Sequence, residues 1–345
     1  MVVDDGAELG TLATITSANY MLVGWFNGET RYTETTVISE DVTLTAIYFT
    51  TDGTSALIDS VDKLNLLSKY HTLLAGKSFK LTADLNLTDQ TFTSIGSSAG
   101  AFFGTFDGGN HTVSGLKTPL FGYIKKATIK DLKVSVTVES TTKYVGGLAN
   151  GVAGGASADL LSKISNVEVS GSVKGGEGTA GFFGYVDAYL NVTDCVNRAS
   201  VESTGNFVGG IIGSHNSSPT AERRINISGC SNYGNVSSTG MYVGGIIGIA
   251  RQTTNSTIQT CKNFGNITGK GSVGGIAGAN RIAVKECYCL STAKITINGV
   301  EKEASALNRI GGYILGTNDK GNGGTIDEAS CGLCDADGNP ITANA

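Results

Sequence analysis

The hexapeptide Val208-Gly-Gly-Ile-Ile-Gly213 occurs a second time, unchanged, at residues 243–248. Related elements, each with glycine at its second position, begin at Val145, Ala180, Val208, Val243, Val273 and Ile310. Each element follows an apolar residue that starts a strand-like segment, and these starts are Ile129, Ile164, Val192, Ile227, Ile258 and Val284. Self-similarity with a period of about 20–50 residues is the signature of a repeat fold.

The two halves of this repeat differ in how strictly their length is kept. In the first four units the glycine element begins 16 positions after the strand start, as from 129 to 145. The interval from a glycine element to the next strand start varies from 11 to 19 positions. A strand must keep register with its neighbours, while loops at one edge can lengthen freely. The pattern predicts an all-β right-handed parallel β-helix over residues 79–330. Its variable edge is predicted at residues 151–161, 214–224, 249–257 and 301–308.

The repeats also resemble a known motif. The hexapeptides at 208 and 243, and the lead-in Gly104-Thr-Phe-Asp-Gly-Gly-Asn-His-Thr-Val-Ser-Gly-Leu116, are similar to the GLUG motif of bacterial surface proteins. Leu120-Phe-Gly122 and residues 127–132 extend that similarity. The resemblance implies a β-helical, adhesin-like protein that is secreted or displayed on a bacterial surface, and such repeats also occur in non-catalytic parts of large surface proteases.

The first 50 residues have a different pattern. Strand-like runs at 13–16, 21–26 and 42–48 are separated by turn signals at Asn27-Gly28 and Glu40-Asp41. Residues 20–28, Tyr-Met-Leu-Val-Gly-Trp-Phe-Asn-Gly, and the closing run to Tyr48 resemble the InlB B-repeat, a small β-grasp-like domain that commonly acts as a spacer. Trp25 is expected in its core.

Residues 51–78 are predicted to form a linker and a capping helix. The apolar residues of this segment recur near helical spacing from Ser55, the expected N-cap, to Tyr70. A helix here would cover the first rung of the stack, whose strand edges would otherwise be exposed. His71 is expected to be a solvated residue at the end of this helix. Residues 331–345 are predicted to form a C-terminal tail.

Two columns of side chains follow from the alignment of the strand starts. Three residues after each start lie Leu132, Val167, Cys195, Cys230, Cys261 and Cys287. Since leucine and valine share that column, its cysteines are predicted to be buried, reduced thiols. Two residues further on lie Val134, Val169, Asn197, Asn232, Asn263 and Cys289. The asparagines are predicted to form a hydrogen-bonded stack that stabilises a turn.

The remaining thiols, Cys331 and Cys334, form a Cys-x-x-Cys pair, for which a terminal disulfide or free thiols are expected. The following Asp335-Ala-Asp-Gly-Asn339 resembles the start of a calcium loop, but it lacks the distal glutamate of an EF-hand, so a tight turn is favoured. A single straight column of thiols cannot surround a metal ion tetrahedrally. Neither a metal nor a cofactor is predicted.

Composition narrows the classes of partner. The formal net charge of −5 and the absence of a basic stripe argue against a nucleic-acid-binding surface. The sequence has no apolar run of about 20 residues, which a membrane-spanning helix requires, so membrane insertion of this chain is not expected. Its N-terminus lacks the pattern of a signal peptide. The chain is expected to be monomeric.

Catalytic patterns are sparse. The histidines His71, His111 and His215 are dispersed, and Asp131 and Asp194 share a column but are separated by the rung of Asn166. Glu139 and Glu202 flank Lys174 in a predicted salt-bridge ladder. The sequence therefore predicts that the chain is not an enzyme. A β-helix polysaccharide lyase or hydrolase is the alternative, and it rests on fold analogy alone.

Aromatic residues supply the candidate binding site. The residue before each glycine element is Tyr144, Thr179, Phe207, Tyr242, Ser272 or Arg309, so three of these six positions are aromatic. Tyr233 and Phe264 repeat the pattern in a second column. Aromatic strips on β-surfaces suit sugar rings or proteins. The sequence thus predicts an adhesin-like module that binds a glycan or a host or matrix protein through these five residues. A spacer or presenting scaffold is a further alternative.

Overall fold

A computed structural model of the protein describes residues 4–14, 18–217, 221–251, 256–302, 310–314 and 325–341. Within these residues the chain is nearly all β, with one α-helix and long parallel sheets, which confirms the predicted all-β class and the parallel stacking of rungs. Three sheets share the stack, and a small antiparallel module precedes them.

The long sheet has 22 strands and is parallel except at Val300–Glu301, which pairs antiparallel with Ile295–Ile297. Its strands are Ala56–Ile58, Lys77–Leu81, Leu85–Asn86, Gly104–Asp107, Thr112–Leu116, Thr128–Glu139, Ser162–Gly175, Leu190–Thr193, Val196–Asn197, Ser200–Ser203, Ile225–Ser228, Ser231–Asn232, Val236–Ser238, Thr257–Gln259, Lys262–Asn263, Ile267–Gly269, Ala283–Lys285, Tyr288–Leu290, Ile295–Ile297, Val300–Glu301, Thr325–Ile326 and Gly332–Cys334.

Two shorter sheets are also parallel. The seven-stranded sheet contains Phe121–Ile124, Ala149–Ala153, Phe183–Asp187, Ile212–His215, Ile247–Ala250, Ala277–Asn280 and Gly311–Ile314. The five-stranded sheet contains Val145–Gly146, Thr179–Ala180, Val208–Gly209, Met241–Gly244 and Gly271–Gly274. A 3₁₀ turn at Ala158–Leu160 lies in the first of the variable loops.

The strand starts pair as the sequence alignment predicts. Register partners run from Ile129 to Ile164, Val192, Ile227, Ile258, Val284 and Ile326. All but Ile326 of these are buried and belong to one continuous hydrophobic core. Like residues therefore stack on like residues along the stack.

Two glycine elements are aligned differently from the prediction. Val145 and Val208 both pair with Thr179 rather than with Ala180, so the second unit is shifted by one residue. The reason is the corner before the strand, where Gly178 adopts a left-handed conformation with φ of 75°. In the last unit, the backbone amide of Ile276 donates to the carbonyl oxygen of Ile310, so Ile310 matches Ile276 and not Val273.

The antiparallel module consists of Thr30–Tyr32, Tyr20–Asn27 and Thr45–Thr50, with Ala7–Glu8 and Val37–Ile38 as a separate pair. Of the predicted strand at 13–16, residues 13 and 14 are not in a strand, and 15 and 16 lie outside the described residues. Trp25 is half-buried, and its indole nitrogen donates to the carbonyl oxygen of Ala13 at 2.8 Å. It also lines a cleft of about 760 Å³.

The helix, α1, spans Val61–Tyr70 and is shorter than predicted. Ser60, not Ser55, is its N-cap, and its side chain accepts a hydrogen bond from the amide of Lys63. The apolar residues before it form the strand Ala56–Ile58, which pairs in parallel with Lys77–Leu81, so sheet pairing overrides the helical pattern there. His71 is half-buried rather than solvated, with its two ring nitrogens 2.8 and 2.9 Å from carbonyl oxygens of Ser68 and Gly100.

The thiol column is confirmed. All seven cysteines are free and buried, and burial raises the pKa of the Cys195 and Cys261 thiols. Cys331 extends the column by one rung, because the strand Gly332–Cys334 pairs in parallel with Tyr288–Leu290. Cys331 and Cys334 are therefore free thiols in the long sheet rather than a terminal disulfide.

Reducing agents are therefore expected to leave the melting temperature unchanged. The thiols are buried and carry no disulfide that dithiothreitol could break. Calorimetry with and without dithiothreitol, together with a thiol-reactive dye that should label only the unfolded chain, measures this. A lower melting temperature in dithiothreitol would show that a disulfide stabilises the fold.

The asparagine stack is also confirmed. The side-chain amide of Asn197 donates to Oδ1 of Asn232 at 2.7 Å, and that of Asn232 donates to Oδ1 of Asn263 at 2.8 Å. Each amide also donates to a carbonyl oxygen two residues along the chain. All three side chains are fully buried.

The asparagine stack explains the glycine pair of the repeat. A Cβ atom on Gly210 would lie 2.5 Å from Oδ1 of Asn232 and 2.2 Å from the carbonyl oxygen of Gly245. The corresponding Cβ on Gly245 would lie 2.4 Å from Oδ1 of Asn263. The second glycine is thus required by the close approach of the next rung and by the asparagine stack.

Candidate binding surface

One side of the stack presents an aromatic side chain from each of five consecutive rungs. We call this set the aromatic belt, and its members are Tyr123, Tyr144, Tyr185, Phe207 and Tyr242. All five are half-buried, whereas their strand neighbours are mostly buried. With about 4.8 Å between neighbouring strands, the belt extends roughly 19 Å along the stack.

The belt residues occupy two different positions within their rungs. Tyr123 and Tyr185 lie within the seven-stranded sheet, where both register with Gly151. Tyr144 and Phe207 directly precede strands of the five-stranded sheet, and Tyr242 lies in its strand Met241–Gly244. Gly178 is the equivalent corner residue of the Tyr185 rung.

Glycine makes room wherever an aromatic ring from the neighbouring rung needs it. A Cβ atom on Gly151 would lie 2.4 Å from Cε1 of Tyr123, and one on Gly178 would lie 2.6 Å from Cδ1 of Tyr144. The rungs of Phe207 and Tyr242 carry the buried residues Ser214 and Ile249 at the sheet position. Each of the five rungs therefore carries one ring of the belt, and glycine stands at positions 151 and 178, where a side chain would collide with a ring.

The three corner aromatics have unfavourable backbone conformations. The φ angles of Tyr144, Phe207 and Tyr242 are 62°, 65° and 63°, in the left-handed region that costs an L-residue about 1–2 kcal/mol. Bulky residues are rare there. Stacking returns about 0.5–1.5 kcal/mol for each ring pair. The apolar area that each half-buried ring removes from water adds to this gain. Ser272, at the equivalent corner of the next rung, also has a left-handed conformation, with φ of 52°.

The rings of the belt stack in pairs. The centroids of Tyr144 and Tyr185 are 4.4 Å apart with 28° between the planes, and those of Phe207 and Tyr242 are 5.3 Å apart at 17°. Burial raises the pKa of Tyr123 and Tyr185. Each stacked pair hides one face of each ring, which leaves the other faces, the ring edges and the hydroxyl groups for a partner.

Tyr233 and Phe264 form a separate pair on the long sheet. Their rings are parallel, at 3° and 4.5 Å, and the guanidinium of Arg198 lies 4.6 Å from the Tyr233 ring centroid. Gly338, in the turn after Cys334, lies near Phe264. The structure therefore does not join the second predicted column to the first.

Polar side chains that the sequence did not single out lie beside the middle of the belt, where the strand of Tyr185 ends. Asn216 donates to Oδ1 of Asp187 at 3.0 Å. Arg223 forms an ion pair with Asp187. Beneath them His215 is fully buried, and its Nε2 donates to the carbonyl oxygen of Arg223 at 2.7 Å. Its Nδ1 has no hydrogen-bond partner among the described residues.

His215 is expected to make the protein less stable in mild acid. Burial, together with the charges of Arg251 and Arg223, lowers its pKa to about 4. Between the unfolded pKa of about 6.5 and pH 4, the unfolded chain binds a proton that the folded chain does not. The free energy of unfolding therefore decreases by about 3 kcal/mol as the pH is lowered through this range. Denaturant unfolding at pH 7 and pH 4.5 measures this, and His215→Gln should remove it. An identical pH dependence in the variant would contradict the assignment.

Acidic residues do not gather as a catalytic site would require. Asp131 and Asp194 occupy the predicted column, and Asn166 between them donates to Asp131 at 2.7 Å. Lys174 forms an ion pair with Glu202 at 3.2 Å, whereas Glu139 lies opposite Lys174 in register. Within the described residues, no group of three or more His, Cys, Asp or Glu side chains is placed to hold a metal ion. Asp335 accepts backbone hydrogen bonds from Asp337 and Asn339, as a tight turn does.

The variable edge is described only in part. Residues 218–220, 252–255 and 303–308 of the predicted edge lie outside the described residues, as does Arg309. The described part of the chain contains no helix of the length and apolarity needed to cross a membrane.

Comparison with known proteins identifies relatives of part of the chain. Residues 74–171 match the model for the M26 IgA1-specific metallo-endopeptidase N-terminal region. The chain is 28% identical over 159 residues to an immunoglobulin A1 protease of Streptococcus sanguinis and 27% identical over 176 residues to one of Streptococcus pneumoniae. These matches cover 44% and 48% of the chain but only 8% and 9% of the relatives.

Two solved structures share the fold. A candidate immunoglobulin A1 protease from Bacteroides ovatus has a TM-score of 0.65 at 22% identity, covering 74% of this chain and 80% of its own. A structure of an IgA1 protease has a TM-score of 0.52 at 21% identity, covering 73% of this chain and 21% of its own.

The similarity overturns one expectation from the sequence. The chain was predicted not to be an enzyme, but the matching family model describes part of a metallo-endopeptidase, and both Streptococcus relatives are proteases. The reason for the error is that a stack of rungs without a clustered catalytic motif can be one region of a much longer enzyme. The GLUG and InlB B-repeat resemblances remain predictions.

Proposed function

We propose that the chain is a substrate-recognition region of a bacterial metalloendopeptidase of the M26 type, secreted or displayed at the cell surface, and that it binds immunoglobulin A1 through the aromatic belt. The observation that carries this proposal is the belt itself. Five consecutive rungs each contribute one half-buried ring, and three of the rings are held at strained corners. Strained backbone conformations cluster at binding sites.

The chemistry of the belt favours a protein partner over a sugar. Sugar rings bind against open aromatic faces, and each ring of the stacked pairs keeps only one open face. Tyrosines that offer edges and hydroxyl groups are typical of protein interfaces, where they supply contact area at low entropic cost.

The comparisons support the same assignment. The family model describes an N-terminal region of an endopeptidase, and residues 74–171 include Tyr123 and Tyr144 of the belt. A right-handed winding of the rungs, capped by α1, is part of the proposal. It is supported by the parallel register and by the right-handedness of nearly all parallel crossovers. The resemblance to GLUG and InlB B-repeats supports display outside the cell.

Biolayer interferometry with immobilised chain tests the proposal. Immunoglobulin A1 is expected to bind with a dissociation constant in the micromolar range or below, which is typical of transient protein interfaces, and immunoglobulin G is expected not to bind. Gel electrophoresis of the same mixtures records any cleavage. Failure of immunoglobulin A1 to bind the folded chain would reject the proposal and favour a spacer.

A further inference from the structure

A small cleft lies between the turn after α1 and the end of the strand Phe121–Ile124. Its volume is about 400 Å³, within the range of about 300–1,000 Å³ that small-molecule sites occupy. Its lining includes Thr72, Ala75, Ala101, Phe103, Lys125 and Lys126. No belt residue lines it, and its residues all lie within 18–217, which the structure describes without a gap.

Phe103 presents an open aromatic ring at this cleft. It is the most exposed of the 12 phenylalanines of the chain, at 37%. Four rings of the belt are stacked in pairs, whereas no aromatic ring among the described residues stacks on Phe103. A single exposed apolar side chain is ordinary on a protein surface, so the significance of this ring depends on its neighbours.

Two adjacent lysines bring positive charge to the same cleft. Nζ of Lys126 lies 5.8 Å from the centroid of the Phe103 ring, and Lys125 lines the cleft beside it. Both lysines are exposed, and within residues 18–217 neither forms an ion pair or a side-chain hydrogen bond. The lining segments contribute one carboxylate, Asp159, which precedes the lining residue Leu160 in the 3₁₀ turn. The cleft therefore joins an open ring to two unpaired cations.

Backbone hydrogen bonds hold the ring and the lysines next to each other. The amide of Gly76 donates to the carbonyl oxygen of Phe103 at 2.7 Å, and the amide of Lys125 donates to that of Phe102 at 2.9 Å. A Cβ atom on Gly76 would lie 3.8 Å from Cε1 and Cζ of Phe103, so the ring borders the turn after α1. The backbone on both sides of the cleft is thus fixed without a ligand.

We propose that this cleft binds a carboxylated sugar, a pyranose that carries its carboxylate on the ring, as sialic and uronic acids do. The apolar face of the pyranose lies on Phe103, and the carboxylate accepts hydrogen bonds from the ammonium groups of Lys125 and Lys126. Hydrogen bonds between two charged groups are stronger than neutral ones, and a rigid ring supplies apolar contact. The exposed Thr72 places a hydroxyl group in the same cleft for a sugar hydroxyl.

A sugar acid fits these groups better than a phosphate or an acidic peptide does. All three classes of ligand can neutralise the lysines, but only the sugar acid has a flat apolar face directly beside its charge. The inference goes beyond the proposed function and does not depend on it, because the cleft and the belt share no residue.

Titration of the isotope-labelled chain, followed through its backbone amide NMR signals, tests the inference. Sialyllactose and a disaccharide that contains glucuronic acid are the two probes, and lactose is the uncharged control. At least one of the acidic sugars is expected to shift the amides at residues 72–76, 101–103 and 125–126, with a dissociation constant of about 1 mM, as for exposed, partly screened charges. Lactose is expected to bind at least about tenfold more weakly, because it lacks the carboxylate.

A matched pair of variants assigns the effect to the cleft. Lys125→Gln combined with Lys126→Gln should weaken binding of the acidic sugar at least about tenfold. Lys133→Gln combined with Lys163→Gln makes the same change in net charge at exposed positions on the long sheet, and should stay within about twofold of the wild type. All four positions are exposed, so both variants are expected to keep the amide spectrum of the folded chain elsewhere.

The outcomes separate the possible ligands. Binding of one acidic sugar and not the other supports the inference and identifies the source of the carboxylate. Failure of both acidic sugars to bind, equal binding of lactose, or undiminished binding by the Lys125, Lys126 variant would overturn the cleft as a site for sugar acids. Equal shifts of the same amides by inorganic phosphate or by an oligoglutamate peptide would overturn the assignment to a sugar.

Discussion

Replacing Tyr144, Phe207 and Tyr242 together by glycine is expected to weaken binding of immunoglobulin A1 at least about 100-fold. Aromatic residues at the centre of an interface each contribute about 2 kcal/mol or more when removed, although such losses do not add, and about 2.7 kcal/mol corresponds to 100-fold in affinity. The variant removes three of the five belt rings, which are one member of the Tyr144–Tyr185 pair and both members of the Phe207–Tyr242 pair. Interferometry on the wild type and the variant measures the change.

Glycine is the appropriate replacement because the chain itself uses it at this corner. Gly178 occupies the equivalent position with φ of 75°, so glycine removes each ring and relieves the backbone strain that alanine would keep. The loss of stacking and the relief of strain are similar in size, and the variant is expected to remain folded. Unlabelled thiols in the native variant would confirm that the core is intact.

The separate aromatic pair provides the comparison. Tyr233→Ser combined with Phe264→Ser removes two stacked rings, and serine stands at the same column in the rungs of Ser135 and Ser170. The two rings lie on the long sheet, apart from the belt, and Arg198 lies against Tyr233. The double variant is therefore expected to change the affinity for immunoglobulin A1 by less than about threefold. A glycine variant that binds as tightly as the wild type would show that the belt is structural.

The second large effect concerns stability. Asn232→Ala is expected to lower the free energy of unfolding by about 3 kcal/mol. The change removes the acceptor of the Asn197 amide and the donor to both Asn263 and the carbonyl oxygen of Gly234, all in the dry interior. Buried polar groups left without partners cost about 1–3 kcal/mol each. Denaturant unfolding followed by circular dichroism measures the change.

Asn226→Ala is the matched control for this stability measurement. Asn226 also belongs to a stack of side chains, since its amide donates to Oδ1 of Asn191 at 3.2 Å, but it is half-exposed and water can replace its partners. We expect a loss below about 1 kcal/mol. Equal losses in the two variants would mean that the interior asparagine stack contributes no more than a surface hydrogen bond.

Much of the fold could be predicted from the sequence because each rung repeats its buried residues. Leucine, valine and cysteine share one column, and asparagine follows two residues later, so alignment by eye recovers the register of the long sheet. The one-residue shift at Thr179 was missed because Thr-Ala-Gly allows two alignments. The corner conformation of Gly178 selects between them. The start of α1 was misplaced because a short apolar run such as Ala56–Ile58 fits a strand and a helix equally well.

The belt could be predicted only in part. Tyr144, Phe207 and Tyr242 share a sequence position before the glycine element, so they were visible as a column. Tyr123 and Tyr185 occupy a different position in the rung, and only the stacking of the rungs brings them into line. The signal that could have found them is Gly151, which is in register with both tyrosines and leaves room for the Tyr123 ring.

Hydrogen–deuterium exchange of the chain with and without immunoglobulin A1 tests the central claim most directly. The account predicts that binding slows exchange in the strands and corners that carry the belt, at residues 121–124, 144–153, 179–187, 207–215 and 241–250. The long sheet at residues 128–139 and 162–175 should be unchanged. Unchanged exchange over the five belt segments, or protection confined to the long sheet, would contradict recognition by the belt.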